Sequence, residues 1–192
     1  YVMWAWKESA SAGFDIVTYT GTGSAATVGH GLGVKPEFIL VKNRDDMDGW
    51  QVQHGSLGAE YSTQFNGTGT PDDTPDVWND TEPTSSVFSV KDDGKTNTNG
   101  ERYIAYLWAG VEGYSKVGSY VGNGDNSGPF VYTGFKPAYF LVKNTSTGST
   151  SWRIYSNKSP DYNPINKILY PDNNNGESTT SHPVDFNSNG VK

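Results

Sequence analysis

Cysteine is absent from the 192 residues, and methionine occurs only twice. Disulfide staples and thiolate metal sites are thereby excluded, so stability has to come from packing or association. No apolar run approaches the roughly 20 residues that a membrane-spanning helix needs. Basic residues are also scarce: 14 Lys and Arg stand against 21 Asp and Glu, a net charge of −7. Without a basic cluster to displace counterions, neither nucleic acid nor an anionic membrane surface is an expected partner. Only three His are present, each beside Gly, Ser or Pro. No nucleophile–His–carboxylate constellation stands out, and Gly-x-Ser-x-Gly, a Walker loop and His-Glu-x-x-His are missing. The chain reads as a non-enzyme without metal or cofactor. A glycosidase needs only two suitably spaced carboxylates, so that one hydrolytic reading stays open.

What the chain has is aromatic. Hydrophobic residues make up only 34%, but six Trp, twelve Tyr and eight Phe can fill cores where aliphatic residues are few. Gly, Asn, Ser, Thr and Asp are abundant, which is the composition of short strands joined by tight turns. An all-β fold is expected.

One stretch organises the rest. Gly33-Val34-Lys35-Pro36-Glu37-Phe38-Ile39-Leu40-Val41-Lys42-Asn43 returns as Gly134-Phe135-Lys136-Pro137-Ala138-Tyr139-Phe140-Leu141-Val142-Lys143-Asn144, 101 positions later throughout. Each copy reads as a turn and then a strand, with proline at the strand's start because it cannot donate to a ladder. Both strands are apolar on both faces and are predicted to be central. Around them the echo continues. Residues 14–19 match 116–120, each followed by a Gly-x-Gly turn. Trp50-Gln51-Val52-Gln53 matches Trp152-Arg153-Ile154-Tyr155, and the alternation predicts half-buried strands.

Tyr103-Ile104-Ala105-Tyr106-Leu107-Trp108 is echoed by Tyr1-Val2-Met3-Trp4-Ala5-Trp6, offset by 102. Residues 1–8 therefore read as the closing strand of a preceding unit, 9–110 as one β repeat, and 111–192 as a second without its last strand. A single domain whose first strand resembles a later one is the competing reading. The predicted architecture is two tandem related β-sandwich or barrel-like repeats.

His30, set among glycines, reads as a turn or edge residue, and the acidic string Asp45-Asp46-Met47-Asp48 as a solvated turn. Its counterpart carries Thr and Ser, so a calcium loop is disfavoured. Residues 56–76 and 156–178 differ most between the copies, which is how a kept scaffold presents variable surface. Tyr155, Tyr162 and Tyr170 are the candidate ligand contacts, with interface or core packing as the alternative.

The string from Gly29-His30-Gly31-Leu32-Gly33 through Val77-Trp78-Asn79-Asp80-Thr81 and Tyr103-Ile104-Ala105-Tyr106 to Glu112-Gly113-Tyr114-Ser115-Lys116 resembles a domain family of tailed bacteriophages. That family is common in virion structural and tail-fibre proteins of marine and cyanobacterial phages. The resemblance implies an exterior appendage or tail of a virion, with copies of the chain itself (as a homotrimer) and other virion proteins as partners. It implies attachment to host-surface glycan. It transfers no catalytic residue. A structural spacer, capsid decoration or baseplate part, and less readily a polysaccharide depolymerase, are the alternatives.

Overall fold

In the computed structural model, which describes residues 3–159 and 162–192, both anchor glycines take the backbone that the sequence asks of them. Gly33 has φ 71° and Gly134 φ 89°, where a side chain would be strained. The strands of the first half are β1 (Phe14–Thr20), β2 (Ala26–Gly29), β3 (Phe38–Asn43), β4 (Gln51–His54), β5 (Tyr61–Gln64), β6 (Asp72–Asp73), β7 (Val87–Val90) and β8 (Arg102–Trp108). Two single-turn helices, α1 (Pro75–Trp78) and α2 (Gly94–Asn97), lie between them. The second half contributes β9 (Val131–Tyr132), β10 (Tyr139–Val142), β11 (Arg153–Ser156), β12 (Ile165–Ile168), β13 (Ser178–Val184), β14 (Phe186–Asn187) and β15 (Gly190–Val191).

The protein is all-β, built of antiparallel sheets, and among the described residues none closes into a barrel. The main sheet runs β1-β8-β3-β4-β5-β6. β8 is the last of these strands in sequence yet lies between β1 and β3, pairing Tyr106 with both Ile16 and Leu40. One face of the sheet turns Ile39, Val41, Tyr103, Ala105 and Leu107 onto Val28, Phe88 and Val90 of the β2–β7 pair, with Trp78 of α1 sealed between them. This is sandwich packing, with alternate residues of each strand facing the partner sheet.

The opposite face of the main sheet is also apolar, which explains why β3 and β8 carry no polar side. Leu40, Val52, Phe38, Phe65, Tyr106 and Trp108 meet Leu141 and Trp152 of the second half. The Trp152 ring lies 5.2 Å from that of Phe65 and 6.5 Å from that of Phe38, and its Nε1–H donates to the Gln64 carbonyl at 2.9 Å. The other side of the β10–β11 pair (Phe140, Val142, Tyr155) packs with Ile165, Ile168, Phe186 and Val191 in a third core.

The two halves fold alike only in part. Phe38 faces His54 across β3–β4, and Tyr139 faces Ser156 across β10–β11, the same register displaced by 101 and 102 positions. β2 pairs with β7, and β9 pairs with β15. Main-chain bonds between Ile154 and Leu169 tie β11 to the end of β12, as β4 is tied to β5. There the likeness stops. Residues 116–120 form no strand, and β10 pairs with β11 alone. Among the described residues β10 is thus an edge strand rather than the predicted central one, because none of their strands takes the place that β8 takes beside β3. Tyr1 and Val2 of the predicted N-terminal strand lie outside the described residues, and residues 3–8 form no strand. Trp4 and Trp6 instead meet the Tyr139 ring edge-on, at 5.2 and 5.8 Å. Pro75 opens a helical turn, and Asn79 and Asp80 end it at positive φ.

Trp152 is 5% exposed and bridges the halves. Trp152→Ala should lower unfolding free energy by about 3–5 kcal/mol, the usual loss for a buried Trp. Urea denaturation followed by circular dichroism checks this.

Candidate functional site

The three candidate tyrosines do not share a surface. Tyr155 is 3% exposed, and its ring is offset-stacked on Phe140 at 6.2 Å. Burial raises its hydroxyl pKa. The alternation that points Ile154 to one side of β11 points Tyr155 inward to the third core. Tyr170 packs half-buried against the same core. Tyr155 is therefore core rather than an exposed contact, and Tyr170 largely so. Tyr162 is 56% exposed, with its hydroxyl donating to Asn166 Oδ1 at 2.9 Å. Sequence reasoning missed Tyr114, Tyr120, Phe130 and Tyr132, all exposed. Lys116 Nζ sits 5.4 Å above the Tyr132 ring and donates to the Tyr132 carbonyl at 2.9 Å, so a cation already holds one of these rings. Their signal in the sequence was an aromatic set in a Gly/Asn/Asp-rich segment.

The concave site lies elsewhere. A cleft of about 190 Å³ opens where β4 and β5 meet residues 67–74, with Val77 of α1 and Lys95 of α2 on its far wall. Polar side chains (Gln51, Ser62, Thr63, Gln64, Asp72 and Lys95 among them) share the lining about equally with apolar surface, to which Gly67, Gly69 and Val77 contribute. Gln51, Ser62 and Thr63 are themselves buried, and the Ser62 hydroxyl donates to Gln51 Oε1 at 2.7 Å. β5 contributes its two covered middle residues, Ser62 and Thr63, and Gln64 at its exposed end. Amide, hydroxyl, carboxylate and ammonium groups thus converge on one small space. They can exchange hydrogen bonds with a hydroxyl- or amide-bearing ligand. No His is among these lining residues, so no imidazole base stands ready there.

A second crevice at Glu37, His54 and Glu82 has no interior room for a ligand. Its carboxylates are already engaged. Glu37 accepts from the Gly110 N–H at 2.8 Å, and Glu82 accepts from the Ala59 N–H at 3.0 Å and from Lys35 at 2.6 Å. Burial lowers the His54 pKa.

Residues 1–192 match one protein family, described as Domain of unknown function (DUF7483). The chain belongs to that family. No curated protein matches the chain, and no solved structure does.

In this family member the acidic turn after β3 is structural. Asn43, buried at the strand's end, accepts the Asp45 and Asp46 N–H groups at 2.9 and 3.2 Å. Its amide donates to Glu101 Oε2 at 2.5 Å and to the Tyr103 hydroxyl at 3.2 Å. Asn144 forms the same turn with Ser146 and Thr147 at 2.9 and 3.1 Å. Such side chain-to-backbone bonds explain why both anchor strands end in Asn. Among the described residues, no group of three or more His, Asp or Glu gathers to hold a metal. Asp45 instead grips Arg102, accepting from its Nε–H at 3.0 Å and from its main-chain N–H at 2.7 Å.

Those bonds hold the Asp45 pKa down to about 2. Its contribution to stability is therefore complete above about pH 3.9, the unfolded carboxyl's pKa, and is lost as pH falls through the folded value. Asp45→Asn should unfold at a lower urea concentration than wild type at pH 6. The gap should close by about pH 2, as midpoints measured across that range will show.

Proposed function

We propose that the chain is a non-enzymatic module of a bacteriophage virion, set in a fibre or other exterior appendage, whose polar cleft contributes to recognition of host-surface glycan. The observation that carries this reading is the convergence of Gln51, Ser62, Thr63, Gln64, Asp72 and Lys95 on about 190 Å³. That is smaller than the roughly 300–1,000 Å³ of drug-sized pockets and suits a single sugar unit of a larger chain. Buried, pre-positioned polar groups discriminate hydroxyl patterns because a mismatched ligand leaves them unpaired. The exposed rings of Tyr114, Tyr120, Phe130, Tyr132 and Tyr162 offer further apolar faces of the kind that pyranose rings stack on. The resemblance of the repeated string to phage tail proteins supports the setting.

A purely structural spacer is the second reading. It is favoured by the commitment of Tyr155, Tyr170 and Trp152 to internal packing. Copies of the chain, as a trimer, and neighbouring virion proteins are the partners under either reading.

The deciding experiment is binding of the purified chain to host cells and isolated surface polysaccharide, in competition with phage adsorption. Saturable, competable binding is expected. Asp72→Ala with Gln64→Ala should weaken it about tenfold or more, which corresponds to roughly 1.4 kcal/mol. Folded protein that binds neither cells nor polysaccharide would leave the spacer. Release of reducing ends would instead make it a depolymerase.

A further inference from the structure

At the covered end of the cleft, Gln51 and Ser62 form a pair with two unused groups. Gln51 stands on β4 directly opposite Gln64 of β5. Ser62 is two residues along from Gln64 and so shares its face of the sheet. The Ser62 hydroxyl donates to Gln51 Oε1 at 2.7 Å. That bond leaves Gln51 Nε2 as a donor and the Ser62 oxygen as an acceptor. Among the described residues nothing accepts from the one or donates to the other. Gln51 is 2% and Ser62 4% exposed, but Nε2 is not sealed off. It opens on the cleft that both residues line. The pair is rigidly held, because β4 is hydrogen-bonded between β3 and β5 and the neighbouring Val52 is fully buried on the other face.

The chemistry of the pair is selective. Turning the Gln51 amide over exchanges the two roles and leaves the same offer of one donor and one acceptor. A hydroxyl answers both from a single oxygen, since it accepts and donates. A carboxylate or an ester carbonyl only accepts, and an ammonium only donates. A sugar's acetamido group carries its N–H and C=O on opposite sides of a trans amide. Each of these leaves a buried group unpaired, which is costly. The remaining lining adds a condition on charge. It holds one carboxylate, the exposed Asp72, and one ammonium, Lys95, which lies 3.8 Å from Asp93. A carboxylate drawn to Lys95 also meets Asp72, and an ammonium drawn to Asp72 also meets Lys95.

We infer that the cleft selects a neutral hexose unit by one free hydroxyl, seated between Gln51 Nε2 and Ser62 Oγ. Uronic acids, amino sugars and sugars esterified or methylated at that hydroxyl are rejected. Glycan binding at this cleft, proposed above, is the reading on which this rests. A site built to hydrogen-bond a hydroxyl discriminates far more sharply than one that senses a missing methylene. A polysaccharide O-acetylated at that position is therefore masked from the cleft.

The test is an NMR titration of the whole chain that follows the Gln51 side-chain amide. The probes are the methyl glycosides of glucose, galactose and mannose, with the matching uronic acids and 2-amino sugars. At least one neutral hexoside should shift Gln51 saturably, and its charged counterparts should bind at least tenfold more weakly. Within its monodeoxy series one position should cost at least tenfold, and acetylation of that same position should cost as much. Ser62→Ala and Gln51→Glu should each remove the preference for the parent sugar over that deoxy sugar, a change that loosened packing alone would not produce. If either variant fails to fold, the deoxy and acetyl series on the wild-type chain decides. Equal binding of neutral and charged sugars, or a deoxy series without a sensitive position, would overturn the inference while leaving glycan binding in place. Sugars that never shift Gln51 would overturn it too, and saturable binding to host polysaccharide would then show that the glycan reading survives without it. Selective hexoside binding by a chain that ignores host cells would uphold the hydroxyl site and remove the host-surface role.

Discussion

β8 is the strand on which the first half depends. It pairs along its whole length with β1 on one side and β3 on the other, and it packs on both faces. Tyr103, Ala105 and Leu107 enter the core under β2 and β7. Tyr106 and Trp108 enter the aromatic layer shared with the second half. A strand so placed satisfies two sets of backbone groups and two apolar surfaces at once, which makes its neighbours interior rather than edge. The second half shows the converse. Its anchor strand and its 116–120 segment have the same kind of sequence as β3 and β1, but among the described residues no strand lies between them. One becomes an edge strand and the other no strand at all.

Aromatic residues connect the halves because aliphatic ones are too few. Trp152 enters between Phe38 and Phe65, while Trp108 meets Phe14 at 4.9 Å and Phe38 at 5.5 Å. Edge-on and tilted contacts of this kind suit ring quadrupoles and bury large areas with few side chains. The same supply of rings leaves several exposed in the second half.

The site was far less legible than the fold. Gln51, Ser62, Asp72, Thr74 and Lys95 read one by one as ordinary strand and turn residues. They become a cleft only because β4, β5, α1 and α2 converge. No spacing within the sequence records that convergence. The tyrosines drew attention because they cluster in the chain, yet strand alternation sent Tyr155 inward and left Tyr162 outside. Residues 116–120 have the pattern of a strand, but a pattern shows only that a segment can pair. A partner must still exist.

The sequence by itself determined the all-β class, the two anchor strands, their glycine and Asn-ended turns, and the hairpin register repeated at offsets of 101 and 102. These follow from local chemistry: side chains alternate with period two, glycine accepts positive φ, and Asn binds the backbone just after it. Only the tertiary structure decided that β8 would lie between β1 and β3, that Trp152 would join the halves, and that residues 116–120 would form no strand. Those outcomes depend on which distant segment reaches a given edge or face first and buries the most apolar surface there. That competition is settled in three dimensions, between residues far apart in the chain.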